Sequence, residues 1–169
     1  KMSRFLSAVF TASRAEKKVR DRLEELGVEC FLPVQTVLRQ WTYRKSRVVV
    51  PVIAGLVFVR VSRQEQVKVL QTKGVVAFLR LKGEAGAAVI PDKQMEDFRF
   101  LLDFSEEAVE MTNENIKAGD LVRVVKGSLR GMEGELIRHK GVTKVLVRID
   151  MLGCAMVNIP ASFVEKLNK

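Results

Sequence analysis

The spacing of apolar and polar positions divides the chain into stretches of two kinds. Residues 5–11 are short, apolar and rich in strand formers. Residues 14–26 follow with Ala15, Val19, Leu23 and Leu26 at helical spacing, and Gly27 stands where a helix would end. Glu16 and Arg20, four residues apart, are placed to pair along that helix. Residues 30–38 read as a strand bent at Pro33, and residues 48–50 and 56–61 as two more. Ser62-Arg63-Gln64-Glu65 has capping-box spacing, which predicts a helix from there to about Gln71. Residues 75–81 form another predicted strand, and Asp92 is placed to cap a helix carrying Met95, Phe98 and Leu102 on one face. The order β-α-β-β-β-α-β-α predicts an α+β domain, an antiparallel sheet with flanking helices.

Beyond residue 104 the pattern changes. Residues 105–116 include Glu106, Glu107, Glu110, Thr112, Asn113 and Asn115, with too little apolar content for a core of their own. They read as a flexible linker, with a short amphipathic extension of the preceding helix as the competing view. From residue 117 onward the periodicity is that of strands. Val122 and Val124 flank Arg123, while Val145, Val147, Ile149 and Met151 alternate with Leu146, Arg148 and Asp150. Glycines at 127, 131, 134, 141 and 153 mark turns at short intervals. Short strands joined by tight turns predict a small all-β barrel, because closure removes exposed edges.

Charge follows the same division. Residues 1–104 carry 19 basic and 11 acidic side chains, residues 105–116 four acidic and none basic, and residues 117–169 ten basic and five acidic. Two domains, 1–104 and 117–169, joined by an acidic linker over 105–116, are therefore expected. The formal net charge of +9 points to a polyanionic partner, since Lys and Arg neutralise phosphates and release counterions.

Within that background two clusters stand out. Residues 39–47 hold Arg39, Arg44, Lys45 and Arg47 around Trp41 and Tyr43, the only Trp and Tyr of the chain. Cations track phosphates and aromatic rings stack on unpaired bases, so this segment is a candidate for single-stranded nucleic acid; a solvated hairpin tip is the plain alternative. Arg14, Lys17, Lys18 and Arg22 form a second cluster on the predicted first helix.

Other chemistry is not indicated. The hydrophobic share of 47% can fill a core, and no apolar run reaches the roughly 18 residues of a membrane span. Residues 1–12 lack signal-peptide features, which gives an expectation of a cytoplasmic protein. Cys30 and Cys154 are far apart and read as reduced thiols. His139, the only histidine, has no triad or zinc-binding pattern around it, and no phosphate-binding loop is present. No catalytic residue, metal or cofactor is expected.

Several motifs taken together resemble a known family over nearly the whole chain. Residues 119–135, Gly-Asp-Leu-Val-Arg-Val-Val-Lys-Gly-Ser-Leu-Arg-Gly-Met-Glu-Gly-Glu, look like a KOW motif. Residues 14–19, Phe31-Leu32-Pro33, residues 51–59 and residues 72–78 are similar, in that order, to blocks of the NusG N-terminal domain. Against the family pattern Ile53, Ala54 and Leu56 replace an aromatic, a proline and a tyrosine, and Leu6-Ser7 stands where Trp-Tyr is common. The resemblance is to the NusG/RfaH family of transcription elongation factors, and most of all to UpxY-type antiterminators of capsule polysaccharide loci.

It implies a NusG-like N-terminal domain that docks on the clamp helices of the largest subunit of bacterial RNA polymerase, with Phe10, Ile53, Leu56 and Phe78 as the apolar patch. Plain sheet core is the alternative for each of these. It implies that the cationic clusters contact non-template single-stranded DNA. It also implies an SH3-like KOW barrel that recruits a ribosomal small-subunit protein or the Rho terminator, in a monomeric protein without membrane contact. A general elongation factor and a KOW-type ribosome-associated RNA-binding protein are the other functions compatible with these residues.

Overall fold

The computed structural model describes residues 3–167, and its fold is α+β with antiparallel sheets and, among the described residues, three α-helices. Residue contacts gather into two units. One comprises the chain up to Val34 together with Ile53–Asp92; the other comprises Gln35–Val52 and everything from Lys93 onward.

The first unit is built on a four-stranded sheet. Strands β1 (Phe5–Thr11), β2 (Glu29–Phe31), β5 (Leu56–Val61) and β6 (Val75–Phe78) lie in the order β2-β5-β1-β6, while β3 (Val34–Gln40) and β4 (Lys45–Pro51) form a separate two-stranded sheet. The single strand expected over residues 30–38 is thus two strands, which break at Leu32-Pro33 and join different sheets. Proline has no N–H to give a ladder and restricts the residue before it. β1 pairs with β5 from Phe5↔Val61 to Phe10↔Leu56. That register sends Val9, Val57, Val59 and Val61 to one face, where they pack with Val19 and Leu23 of α1 (Glu16–Glu25), Val69 of α2 (Arg63–Leu70) and Phe78. α1 ends as Gly27, at φ +77°, turns the chain and lets the Val28 N–H donate to the Leu23 carbonyl at 3.0 Å.

The capping box on α2 forms as its spacing predicts. Ser62 Oγ accepts from the Glu65 N–H, and a Glu65 carboxylate oxygen accepts from the Ser62 N–H at 2.9 Å. Glu65 also binds Arg4 at 2.8 Å, and these hydrogen bonds, Arg4's first, hold its carboxyl down at about 2. Glu16 and Arg20 do not pair as expected. Arg20 lies beside Asp21 and Glu24, while Glu16 is buried and turned to another partner.

The second unit contains the β3–β4 pair, helix α3 (Asp92–Phe104) from Lys93 onward and a six-stranded antiparallel sheet ordered β12-β8-β9-β10-β11-β7. Its strands are β7 (Glu110–Thr112), β8 (Asp120–Val124), β9 (Glu133–His139), β10 (Val142–Ile149), β11 (Gly153–Asn158) and β12 (Val164–Lys166). α3 buries Met95, Phe98 and Leu101; Leu102, expected on that stripe, is only half-buried. Within residues 105–116, read above as a linker, β7 pairs with β11 through Met111↔Ala155. A Cβ on Gly153 would lie 2.1 Å from the Thr112 carbonyl oxygen, so the two backbones approach as only glycine permits.

Two side-chain amides tie this unit together. Gln35 donates to the Val109 carbonyl at 3.1 Å and accepts from the Val109 N–H at 3.0 Å. Gln94 donates to an Asp150 carboxylate oxygen at 2.9 Å and accepts from the Asp150 N–H at 2.7 Å.

Arg148 and Glu135 form a second tie. Arg148 Nε and Nη2 donate to the two Glu135 carboxylate oxygens at 2.7 and 3.0 Å, and Nη2 also reaches the Ile116 carbonyl at 2.8 Å. Glu135 further accepts from the Gly119 N–H at 3.0 Å. Burial opposes its ionisation, but the bonds from Arg148 and Gly119 outweigh that and hold the Glu135 carboxyl below its ordinary range. A depressed carboxyl contributes stability that is fully present above its unfolded pKa and is lost as pH falls through the folded one. Glu135→Gln is expected to cost about 1–3 kcal/mol near neutral pH. In urea melts across pH, the difference from the parent should hold down to about pH 5 and shrink below about pH 4.

Candidate functional site

The end of β1 gathers the residues predicted to form an apolar patch. Phe10, 40% exposed, pairs in register with Leu56, which is buried. Phe78 is buried too and belongs to the helix-side core with Val9 and Val19. Ile53, half-buried, precedes exposed Ala54 and half-buried Gly55 in the turn entering β5. Phe10 and Ile53 are therefore the members with surface to offer, while Leu56 and Phe78 fill the interior. The period-2 pattern could not separate them, because β5 is apolar on both faces.

The turn at Gly55 is held on both sides. The Gly55 carbonyl accepts from the Thr11 N–H at 2.9 Å, and the Gly55 N–H donates to Glu16 Oε2 at 2.7 Å. Gly55 adopts φ +70°. Nearby, the Ala12 N–H donates to the Gly74 carbonyl at 2.8 Å, and Arg22 Nη1 donates to the Lys73 carbonyl at 2.8 Å. Sequence reasoning missed Glu16 as a loop anchor. Its only signal was an acid at the start of a helix, which has a local explanation of its own.

The basic cluster on α1 is dispersed. Arg14 lies ahead of the helix at φ +60° and is exposed, Lys17 and Lys18 point outward, and half-buried Arg22 is committed to Lys73.

The hairpin of β3 and β4 carries the other cluster. The Trp41 N–H donates to the Arg44 carbonyl at 2.6 Å and closes a tight turn, leaving Tyr43 at the tip 96% exposed. Trp41 Nε1 donates to Ser46 Oγ, which fixes the half-exposed indole against β4. This bond also sorts the cations. Ser46 shares the Trp41 side, so its neighbours Lys45 and Arg47 project from the opposite side, where Leu38 is 62% exposed. Arg39, two residues from Trp41 along β3, falls on the indole's side. No Asp or Glu occurs between Glu29 and Glu65, so nothing in this part of the chain offsets the four cations.

In the second unit a groove of about 420 Å³ is lined by Leu129, Ile159, Pro160 and Phe163, with Lys126 and Glu106 among its polar neighbours. Cys30 is half-buried, and desolvation pushes its thiol up to about 11, which makes it a poor nucleophile. Among the described residues no three His, Cys, Asp or Glu side chains gather to hold a metal, and no helix is long and apolar enough to cross a membrane.

Residues 7–99, more than half of the chain, match the family described as "Transcription termination factor nusG", and the chain belongs to the NusG family. Proteins of this family are non-enzymatic transcription factors. The structure is similar to one described as "Domain interaction in Thermotoga maritima NusG", with 22% identity over 98% of each chain and a TM-score of 0.52, a likeness that bears on the fold. A chain of the "MjSpt4:Spt5 complex" aligns over 97% of each chain at 18% identity, with a TM-score of 0.28, too low to bear on anything further. No curated protein sequence matches significantly.

The close packing under the turn at residues 72–74 can be tested directly. Gly74 adopts φ +97°, and a Cβ there would meet Val19 Cγ2 at 2.7 Å, inside the core. Gly74→Ala is expected to cost at least ~2 kcal/mol in urea denaturation, from backbone strain and overpacking together.

Proposed function

We propose that this NusG-family factor docks on the clamp helices of the largest subunit of bacterial RNA polymerase and there contacts non-template single-stranded DNA, as a locus-specific antiterminator of the capsule-locus type. The observation that carries this reading is the β3–β4 hairpin. Four cations with no acid near them in the chain share the hairpin with an indole already held in place and a fully exposed tyrosine ring, Arg39 on the indole's side and Lys45 and Arg47 on the other. That combination suits an unpaired strand better than a duplex, because stacking requires an accessible base face.

Phe10 and Ile53 supply the exposed part of the docking patch, with Leu56 buried opposite Phe10 in the register and Phe78 in the core on the other face of the sheet. Lys17, Lys18 and Arg14 add a second region of positive charge. The six-stranded sheet serves as the KOW domain and recruits a ribosomal small-subunit protein or Rho, with the Leu129–Phe163 groove as its apolar contact. The functional division then runs 1–104 and 117–169, with 105–116 as a connection whose β7 is paired to the KOW sheet. The factor acts in the cytoplasm as a monomer.

Docking and strand contact are separable. Ile53→Asp is expected to weaken binding to core RNA polymerase at least tenfold while circular dichroism stays that of the parent, since charge in a desolvated patch is costly. Normal binding by a folded variant would remove Ile53 from the docking surface.

For the strand, the probe is an oligo-dT in a salt series, followed by recruitment to paused elongation complexes. Replacing Arg44, Lys45 and Arg47 with Ala should flatten the salt slope by up to about 2, while Trp41→Ala should weaken binding by about 1–3 kcal/mol with little change of slope. A triple variant that binds and is recruited like the parent at every salt concentration makes the hairpin an ordinary solvated tip. A general elongation factor is then the better reading.

A further inference from the structure

We infer that Glu16 is a positioning residue for polymerase docking: its buried carboxylate holds the Gly55 amide and so fixes the turn that presents Ile53. The inference rests on the docking reading above. Glu16 is the first residue of α1 and only 7% exposed, a degree of burial that carboxylates rarely tolerate without a partner. Its one described partner beyond its own helix is the Gly55 N–H, at 2.7 Å, within the short range of a charge-assisted bond. An ion pair along the helix does not account for it, because the cation at the right spacing, Arg20, lies beside Asp21 and Glu24 instead.

The geometry makes Gly55 a clamped point. Its carbonyl is taken by Thr11, the residue after Phe10, and its N–H by Glu16 on a different element. With φ at +70°, the glycine reverses the chain while both of its polar groups stay satisfied. Release of the N–H side leaves the turn tied only through Thr11. Ile53, two residues away, then samples more conformations, and ordering it again on the polymerase reduces affinity. A well-held docking loop thus depends on an acid that never touches the partner.

The test uses the full chain and core RNA polymerase as the probe. Glu16→Gln keeps an oxygen that can accept and should bind within about twofold of the parent. Glu16→Ala, and Glu16→Asp, which keeps the charge but falls one methylene short, should each bind about tenfold more weakly, equivalent to about 1.4 kcal/mol. Hydrogen exchange at the Gly55 amide should be faster in both. In an Ile53→Asp background, Glu16→Asp should cost less than twofold more, because its effect passes through the loop. Parent-like binding by Glu16→Asp overturns the inference, as does a full tenfold loss added to that of Ile53→Asp, which would mark Glu16 as a general support of the fold. If Glu16→Ala does not fold, the Asp and Gln variants decide. Ile53→Asp alone reports on docking itself: parent-like binding there defeats the docking reading and this inference with it, whereas a loss there with none in Glu16→Asp defeats this inference only.

Discussion

The first unit depends on the register of β1 against β5. With Val9 opposite Val57 and Phe10 opposite Leu56, Val9 joins Val57, Val59 and Val61 on the face that packs with α1 and α2. A slip of β1 by one residue would turn Phe10 under the helices and Val9 to the opposite face. Phe10 is left at the strand's end with two-fifths of its surface exposed, so a core constraint decides which aromatic is available to a partner. On the other edge of β5, its pairing with β2 places Phe31 over Phe58, with ring centroids 6.2 Å apart.

In the second unit, polar side chains do comparable work. The Arg148 guanidinium joins β9 through Glu135 and the chain entering β8 through the Ile116 carbonyl, and Glu135 adds the Gly119 amide. Gln35 engages the Val109 backbone with both ends of its amide, much as a neighbouring strand would, and Gln94 spans the Asp150 N–H and its carboxylate. Such reciprocal pairs fix orientation as well as distance, because donor and acceptor cannot be exchanged without turning the whole group over.

These differences in chemistry explain what could be read from the residues alone. α1, the capping box of α2 and strand β5 were legible because helical spacing, Ser62 with Glu65, and a dense β-branched run are local signals. The α+β class followed from their order. Pro33 announced a bend, but the assignment of β2 and β3 to different sheets depends on partners far along the chain. β7 was hidden in a segment whose composition is that of a linker; three residues pair there because Gly153 lets the backbones meet, and neither end reveals the other. At the candidate site the cations and the rings were legible as types. Their sorting onto two sides of the hairpin was not, since it follows from where Ser46 meets the indole. Leu56 and Phe78 could not be told from Phe10 and Ile53, because burial of an apolar residue is settled by what packs over it.

The bond from the Trp41 indole to Ser46 limits what the hairpin could distinguish in any strand laid against it. The indole has a single polar hydrogen, and Ser46 already occupies it. The ring can offer its face but cannot interrogate the edge of a base, so identity is invisible to it except as stacking area. Selectivity at that position would then be a property of the strand's mechanics, favouring tracts that unstack readily over any particular letter. A message read there is one of pliancy, and spelling must be checked by other side chains.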